Sequence, residues 1–199
     1  MSEVMTLSRR LLLRAAAAML SSTASFGAAL AQTSLPPTPS CDDGDDPTPQ
    51  QTAGPFFKPR SPQRQSLIEP GMGGTRIALT GMVLTRTCRP VPNALLDLWQ
   101  ADARGNYDNR GFRLRGHQFT DAQGRYRFET IVPGRYPGRT PHLHLRVQAK
   151  GRPILTTQLY FPGEAGNTGD GLFDPALLMR TQPAAGGIEA KYDFVLAMR

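Results

Sequence analysis

The sequence predicts an all-β protein, an antiparallel β-sandwich with an irregular N-terminal arm. From about residue 75 onward the chain is a series of short runs in which apolar and polar residues alternate. Each run is bounded by Gly, Pro, Asn or Asp, the residues that punctuate strands. Helical periodicity is nearly absent beyond the first thirty residues. Short strands at this spacing make a sandwich or a barrel.

The N-terminus reads as an export signal. Ser8-Arg9-Arg10-Leu11-Leu12-Leu13-Arg14 has the twin-arginine form, a small-residue stretch runs from Ala15 to Leu30, and Ala29-Leu30-Ala31 fits an A-x-A cleavage site. Ser21, Ser22, Thr23 and Ser25 interrupt the run, which falls short of the ~20 strongly apolar residues of a membrane span. The expectation is a soluble periplasmic or secreted protein of residues 32–199 without a stable membrane anchor. The signal carries Arg9, Arg10 and Arg14 against Glu3, so +5 of the formal +7 remains on the mature chain. That balance favours small anionic ligands. No Lys/Arg run with interleaved aromatics is present, which argues against nucleic acid.

Residues 32–51 read as an extended, acidic and Pro-rich arm, with Asp42, Asp43, Asp45 and Asp46 close together in sequence. Such a composition cannot bury a core. The aspartates lack the spacing of an EF-hand loop. Cys41 and Cys88 are the two cysteines of the chain, and an even count in an exported protein suggests one disulfide. Closing a loop of that length would stabilise the fold by roughly 4 kcal/mol on the chain-entropy account. Thr38-Pro39-Ser40-Cys41 is a poor lipobox.

The strands follow in order. Ile77-Leu84 and Ala94-Trp99 come first, then Gly124-Ile131, which alternates after the turn Asp121-Ala122-Gln123-Gly124. Next are His142-Gln148 and Ile154-Phe161, and Tyr192-Met198 closes the chain. Pro175-Arg180 reads as one short helical turn. Residues 52–199 therefore make one β domain.

The most informative of these strands is His142-Leu143-His144-Leu145. Residues i and i+2 of a strand share a face, so Leu143, Leu145 and Val147 can enter a core while His142 and His144 project together from the other side. Two imidazoles on a rigid strand are half of a metal site, although a His-x-His pair alone is also common on an exposed strand edge. No Asp or Glu flanks the pair at ligand spacing, which argues against a two-histidine, one-carboxylate Fe(II) centre. Tyrosines are the nearby anionic donors. Tyr126, Tyr160 and Tyr192 sit in apolar strand runs and read as core. Tyr107 and Tyr136 lie in loops, where a large aromatic has no evident packing role, so these two are the better ligand candidates. Arg139 lies in the same loop as Tyr136.

Taken in order, several stretches resemble the intradiol ring-cleavage dioxygenases. These are Gln51-Thr52-Ala53-Gly54-Pro55-Phe56-Phe57, Leu96-Asp97-Leu98-Trp99-Gln100-Ala101-Asp102, Gly105-Asn106-Tyr107, Arg115-Gly116-His117, the Tyr136-to-His144 block and Thr157-Gln158-Leu159-Tyr160-Phe161. The resemblance covers essentially the whole mature domain and implies a prealbumin-like sandwich. It implies a non-haem Fe(III) held by Tyr107, Tyr136, His142 and His144, with a solvent-derived hydroxide. The substrates it implies are O₂ and a small aromatic diol of the catechol type, cleaved between the hydroxylated carbons to a muconate-type diacid. Tyr107 would double as proton acceptor. Arg139 would stabilise charge on the ring, its plainer reading being a loop salt bridge. Gln158 matches a glutamine near the pocket, with a simple strand hydrogen bond as its alternative. His117 falls outside the ligand pattern and reads as structural or surface.

The chain departs from the larger members in having a short loop between Tyr136 and His142 and no helical N-terminal dimerisation region. It resembles the small secreted type, and its open site leads to an expectation of bulkier catechols. Oligomers are frequent in this family, so a homo-oligomer is an open expectation. Two competing readings remain: a non-catalytic exported β-sandwich binding module, and a zinc or copper protein using the His-x-His pair. Neither gives a reason for keeping Tyr107, Tyr136 and Arg139 beside the histidines.

Overall fold

Nine strands and two 3₁₀ turns make up residues 46–199, the part of the chain that the computed structural model describes. The signal segment 1–31 lies outside the described residues, as do Cys41, Asp42, Asp43 and Asp45. The strands are β1 (Arg76–Thr85), β2 (Leu95–Trp99), β3 (Arg115–Phe119), β4 (Arg125–Ile131), β5 (His142–Gln148), β6 (Leu155–Tyr160), β7 (Arg180–Ala184), β8 (Gly187–Lys191) and β9 (Phe194–Leu196). They form two sheets. One has the order β4-β1-β8-β7 with β9 also on β1, the other β3-β2-β5-β6. Among the described residues no helix is long and apolar enough to cross a membrane.

Alternation dictates the core. Ile77 and Leu79 of β1 meet Thr130 and Phe128 of β4 across the ladder, while Leu96 and Leu98 of β2 meet Val147 and Leu145 of β5. All of these apolar side chains are buried. Each fully buried Leu contributes roughly 1.5–3 kcal/mol by leaving water.

The expected sandwich is present, with strands at the expected positions and three additions. Arg115–Phe119, Arg180–Ala184 and Gly187–Lys191 pair as strands although none shows an apolar alternation. Their ladders come from tertiary context, which routinely overrides strand propensity. The final run is shorter than expected, since Asp193 interrupts it and its Oδ1 accepts from Met82 N at 2.7 Å. Pairing is also not wholly antiparallel, because β8 and β9 both lie parallel to β1. The short turn near Pro175 is a 3₁₀ turn, Pro175–Leu177, capped by the Asp174 side chain on Ala176 N.

The outer face of the β3-β2-β5-β6 sheet is roofed by the segment from Gln51 to Leu67. Gln51 N donates to Thr156 O at 2.8 Å and Arg64 N to His117 O at 2.9 Å, so the segment touches both edge strands. Phe57 packs edge-on against Trp99 at 4.9 Å, and the Arg146 guanidinium lies 3.6 Å from the Phe57 ring centre. Beneath that roof the polar face of β5 becomes an interior.

Candidate metal centre

Strand register assembles one row across the sheet: Arg115 opposite Trp99, Trp99 opposite His144, and His144 opposite Gln158. His142 lies opposite Tyr160 in the next row. Directly opposed residues share a face, so both histidines stand on the roofed side while Leu143 and Leu145 enter the core. Each histidine is only 2% exposed. The two Nε2 atoms face each other at 3.2 Å. His142 Nδ1 lies 2.7 Å from Thr140 O and donates to it, which leaves its Nε2 a lone pair. His144 stacks on Trp99 at 4.9 Å, with the two rings 7° from parallel.

The tyrosines close on this pair from two loops. Tyr136 sits in a tight turn in which Arg139 N donates to Tyr136 O at 2.9 Å. Its hydroxyl is 3.2 Å from His142 Nε2. Tyr107 arrives on the loop after β2, its ring centre 5.9 Å from that of Tyr136 and 6.2 Å from that of His144. The two loops can meet because residue 105 is glycine. Gly105 has φ +84°, and a Cβ there would lie 2.2 Å from Arg135 O. Gly54, at φ +64°, sets the roof against His144 less tightly, since a Cβ on it would be in ordinary contact, 3.6 Å from His144 Cε1.

Three further contacts hold the Tyr107 loop. The Phe56 ring stacks on Tyr107 at 4.4 Å. Buried Arg115 donates from Nε to Asp108 O at 3.1 Å and from Nη1 to Phe56 O at 2.6 Å. Lys58 Nζ reaches Arg110 O at 2.9 Å and Gly111 O at 2.6 Å.

Burial sets the charge states. It lowers His142 to about 4, aided by the Arg139 cation. Burial also holds His144 well below its usual value, with His142 and Arg139 adding to the effect. Both imidazoles are therefore neutral at physiological pH, the form that binds metals. Burial, and then the neighbouring Tyr136, pushes the Tyr107 phenol far above its usual range. Its buried hydroxyl finds no hydrogen-bond partner among the described residues. An unpaired buried hydroxyl is costly, and a cation beside it would both satisfy the oxygen and favour the phenolate. The four side chains thus fit a ferric ion: two hard oxygen donors able to become anionic and two neutral nitrogens. Among the described residues no group of three His, Cys, Asp or Glu offers a rival site.

Arg139 makes the loop salt bridge of its plainer reading. Its Nε makes an ion pair with Asp170 at 2.9 Å, while Nη1 reaches Tyr136 OH at 3.4 Å and Nη2 donates to Gln158 Oε1. Gln158 also donates from Nε2 to Thr52 O at 3.1 Å. The Tyr160 ring is buried as expected, but its hydroxyl lies 2.8 Å from both Gln51 Oε1 and Leu172 O, next to the site. His117 stands apart, its Nδ1 2.7 Å from Ser61 O, in keeping with a structural role. Local sequence does not single out Trp99 or Asp170 as site residues. Pairing β2 with β5 would have found Trp99, but Asp170 lies in a loop about thirty residues away and carries no local signal.

A family model described as Dioxygenase (Dioxygenase_C) matches residues 52–197. The chain belongs to the intradiol ring-cleavage dioxygenase family. One family relative, the protocatechuate 3,4-dioxygenase beta chain of Burkholderia cepacia, is 40% identical over 109 residues, covering 46% of this chain and 46% of its own. A hydroxyquinol 1,2-dioxygenase of Rhodococcus opacus is 32% identical over 154 residues, covering 65% of this chain and 51% of its own. The chain spans about half the length of the curated relatives it matches. Among solved structures, the dioxygenase domain of a dioxygenase carbohydrate-binding protein fusion from Streptomyces sp. SirexAA-E superposes with a TM-score of 0.76. It shares 56% identity and is covered completely, against 77% of this chain. The 3-chlorocatechol 1,2-dioxygenase of Rhodococcus opacus 1CP superposes at 0.69 with 28% identity, covering 79% of this chain and 74% of its own.

Proposed function

We propose that this chain is a non-haem Fe(III) enzyme that cleaves a catechol-type ring between its two hydroxylated carbons, using O₂. The observation that carries the reading is the grouping of the Tyr136 hydroxyl, the Tyr107 ring with its buried, unpartnered hydroxyl, and two neutral imidazoles under one roof, with a paired arginine beside them. When bound, ferric iron would supply a Lewis-acidic centre that both oxygens of the diol could chelate and that would draw electron density from the ring. Tyr107, Tyr136, His142 and His144 would hold it. The remaining work falls to the protein. His142 is fixed in one tautomer by Thr140 O, as ligand histidines generally need. Arg139 presents a fixed guanidinium where charge develops on the ring, an electrostatic contribution that a water-poor site strengthens. Gln158 holds Arg139 on one side and the roof at Thr52 on the other. Tyr107 O is the chain's acceptor for a diol proton. In the net reaction both atoms of O₂ enter the product, one carbon–carbon bond breaks, and a muconate-type diacid forms.

Export through the twin-arginine signal over residues 1–31 belongs to the same reading, since that route carries folded proteins and would let iron enter first. A Cys41–Cys88 disulfide is part of it too, and no free cysteine occurs among the described residues. The assay is O₂ uptake by the iron-loaded protein with catechol, protocatechuate and hydroxyquinol, alongside product mass. One O₂ consumed per diacid formed is expected with at least one of them. Product from cleavage beside the diol, or no uptake with any catechol, overturns the reading.

A further inference from the structure

Asp170 is buried, with its side chain 1% exposed, and it spends both carboxylate oxygens on one corner of the site. Arg139 Nε donates to Oδ2 at 2.9 Å and to Oδ1 at 3.1 Å. Thr140 N adds a second hydrogen bond to Oδ2 at 3.0 Å, and Leu172 N a second to Oδ1 at 3.0 Å. The carboxylate therefore binds the loop that follows β6 to the two residues preceding Pro141 and His142. A second tie holds the same loops together, as Thr140 Oγ1 donates to Asn167 Oδ1 at 2.8 Å and Asn167 Nδ2 to Phe161 O at 2.9 Å.

A guanidinium is a planar fork, so fixing one edge aims the others. With Nε fixed on Asp170, Nη1 points at Tyr136 OH and Nη2 at Gln158 Oε1. The arginine side chain has several rotatable bonds, and without that anchor the guanidinium would sample many orientations. Its unpaired charge would also be costly in so buried a site. We infer that Asp170 is a positioning residue that acts through Arg139, holding the guanidinium against Tyr136 and Gln158. The inference rests on the dioxygenase reading. It adds a residue whose carboxylate makes no hydrogen bond to any of the four donor side chains.

Asp170→Asn keeps the size of the side chain but places an NH₂ where two N–H donors already point. In the iron-loaded protein, kcat is expected to fall about 10- to 100-fold, the usual cost of removing an outer-shell partner, with KM changed by less than about threefold. The visible tyrosinate-to-iron band is expected to move to longer wavelength, because Tyr136 loses a hydrogen-bond donor. Arg139→Gln should shift the band the same way, and the double variant should shift it no further. In the metal-free protein, the Arg139 Nε–H resonance should lose its protection from exchange in Asp170→Asn. Asp170→Glu keeps the charge and should restore part of kcat and of that protection, which covers the case in which Asp170→Asn does not fold. If Arg139→Gln lowers kcat while Asp170→Asn leaves kcat, band and exchange unchanged, the inference is overturned and the dioxygenase reading stands. If Arg139→Gln itself leaves kcat and band unchanged, Asp170 has nothing to position and the inference falls, while the dioxygenase reading stands on the turnover itself.

Discussion

Replacing Lys58 by methionine tests whether the roof holds the loop that carries Tyr107. The ammonium sits among three consecutive carbonyls, 3.5 Å from Asn109 O, 2.9 Å from Arg110 O and 2.6 Å from Gly111 O, and 4.6 Å from the Phe112 ring centre. Two of these are good hydrogen bonds from a charged donor, each worth roughly 1.5–3 kcal/mol in favourable cases. Partial exposure and the methionine's own packing on Phe112 offset part of that, leaving a loss of about 2 kcal/mol. At ~2–4 °C per kcal/mol for a domain of this size, the melting temperature should drop by about 4–8 °C. If the loop opens locally instead, 2 kcal/mol corresponds to a roughly thirtyfold larger open population. Hydrogen exchange then reads it at the Gly111 and Arg113 amides, which donate to the Asp108 carboxylate at 2.8 and 2.9 Å. Unchanged melting together with unchanged exchange at these amides would mean that Lys58 does not fasten this loop.

Gly105→Ala should destabilise by about 3 kcal/mol or more, since a side chain at φ +84° is strained and its Cβ would collide with Arg135 O. Chemical denaturation measures this, and a loss below about 0.5 kcal/mol would show that the two loops do not need the close approach. Asp97→Asn should change how stability varies with pH. Burial raises the Asp97 pKa above its ordinary 3.8, against the opposing effects of the Ser61 hydrogen bond and of His117, Arg146 and Arg115. In the window just above pH 3.8 the folded state therefore binds more proton than the unfolded one, so this group's contribution to stability falls as pH rises through that window. The melting temperature of Asp97→Asn relative to the parent should accordingly improve from pH 3.8 upward and then level off; a difference constant with pH would contradict it. Trp99→Leu removes the ring stacked on His144 and should weaken metal retention about tenfold or more in chelator competition. Equal retention would mean that the stack does not orient the histidine.

Much of this architecture is legible in local sequence, and the exceptions have physical causes. His142, Leu143, His144 and Leu145 declare their two faces by alternation alone, and both faces are where that alternation puts them. Tyr107 and Tyr136 stand out because loops rarely need large aromatics; the Tyr136 hydroxyl lies 3.2 Å from His142 Nε2 and the Tyr107 ring centre 6.2 Å from that of His144. β7 and β8 were not legible because Arg180–Ala184 carries Pro183 and little apolar area, so its ladder depends on partners remote in sequence. The parallel pairing of β8 and β9 on β1 is likewise a matter of topology, which alternation does not encode. Asp170 shows the same limit at the site. One aspartate among several in a Gly-rich loop becomes informative only when the fold sets it against Arg139.

The most direct test of the central claim is the visible absorption spectrum of the iron-loaded protein, taken before and after anaerobic addition of a catechol. The expected spectrum shows a broad tyrosinate-to-Fe(III) band that shifts on addition and that weakens in Tyr136→Phe and in Tyr107→Phe. A protein that stays colourless after ferric iron is supplied would contradict it, as would a band indifferent to both tyrosines.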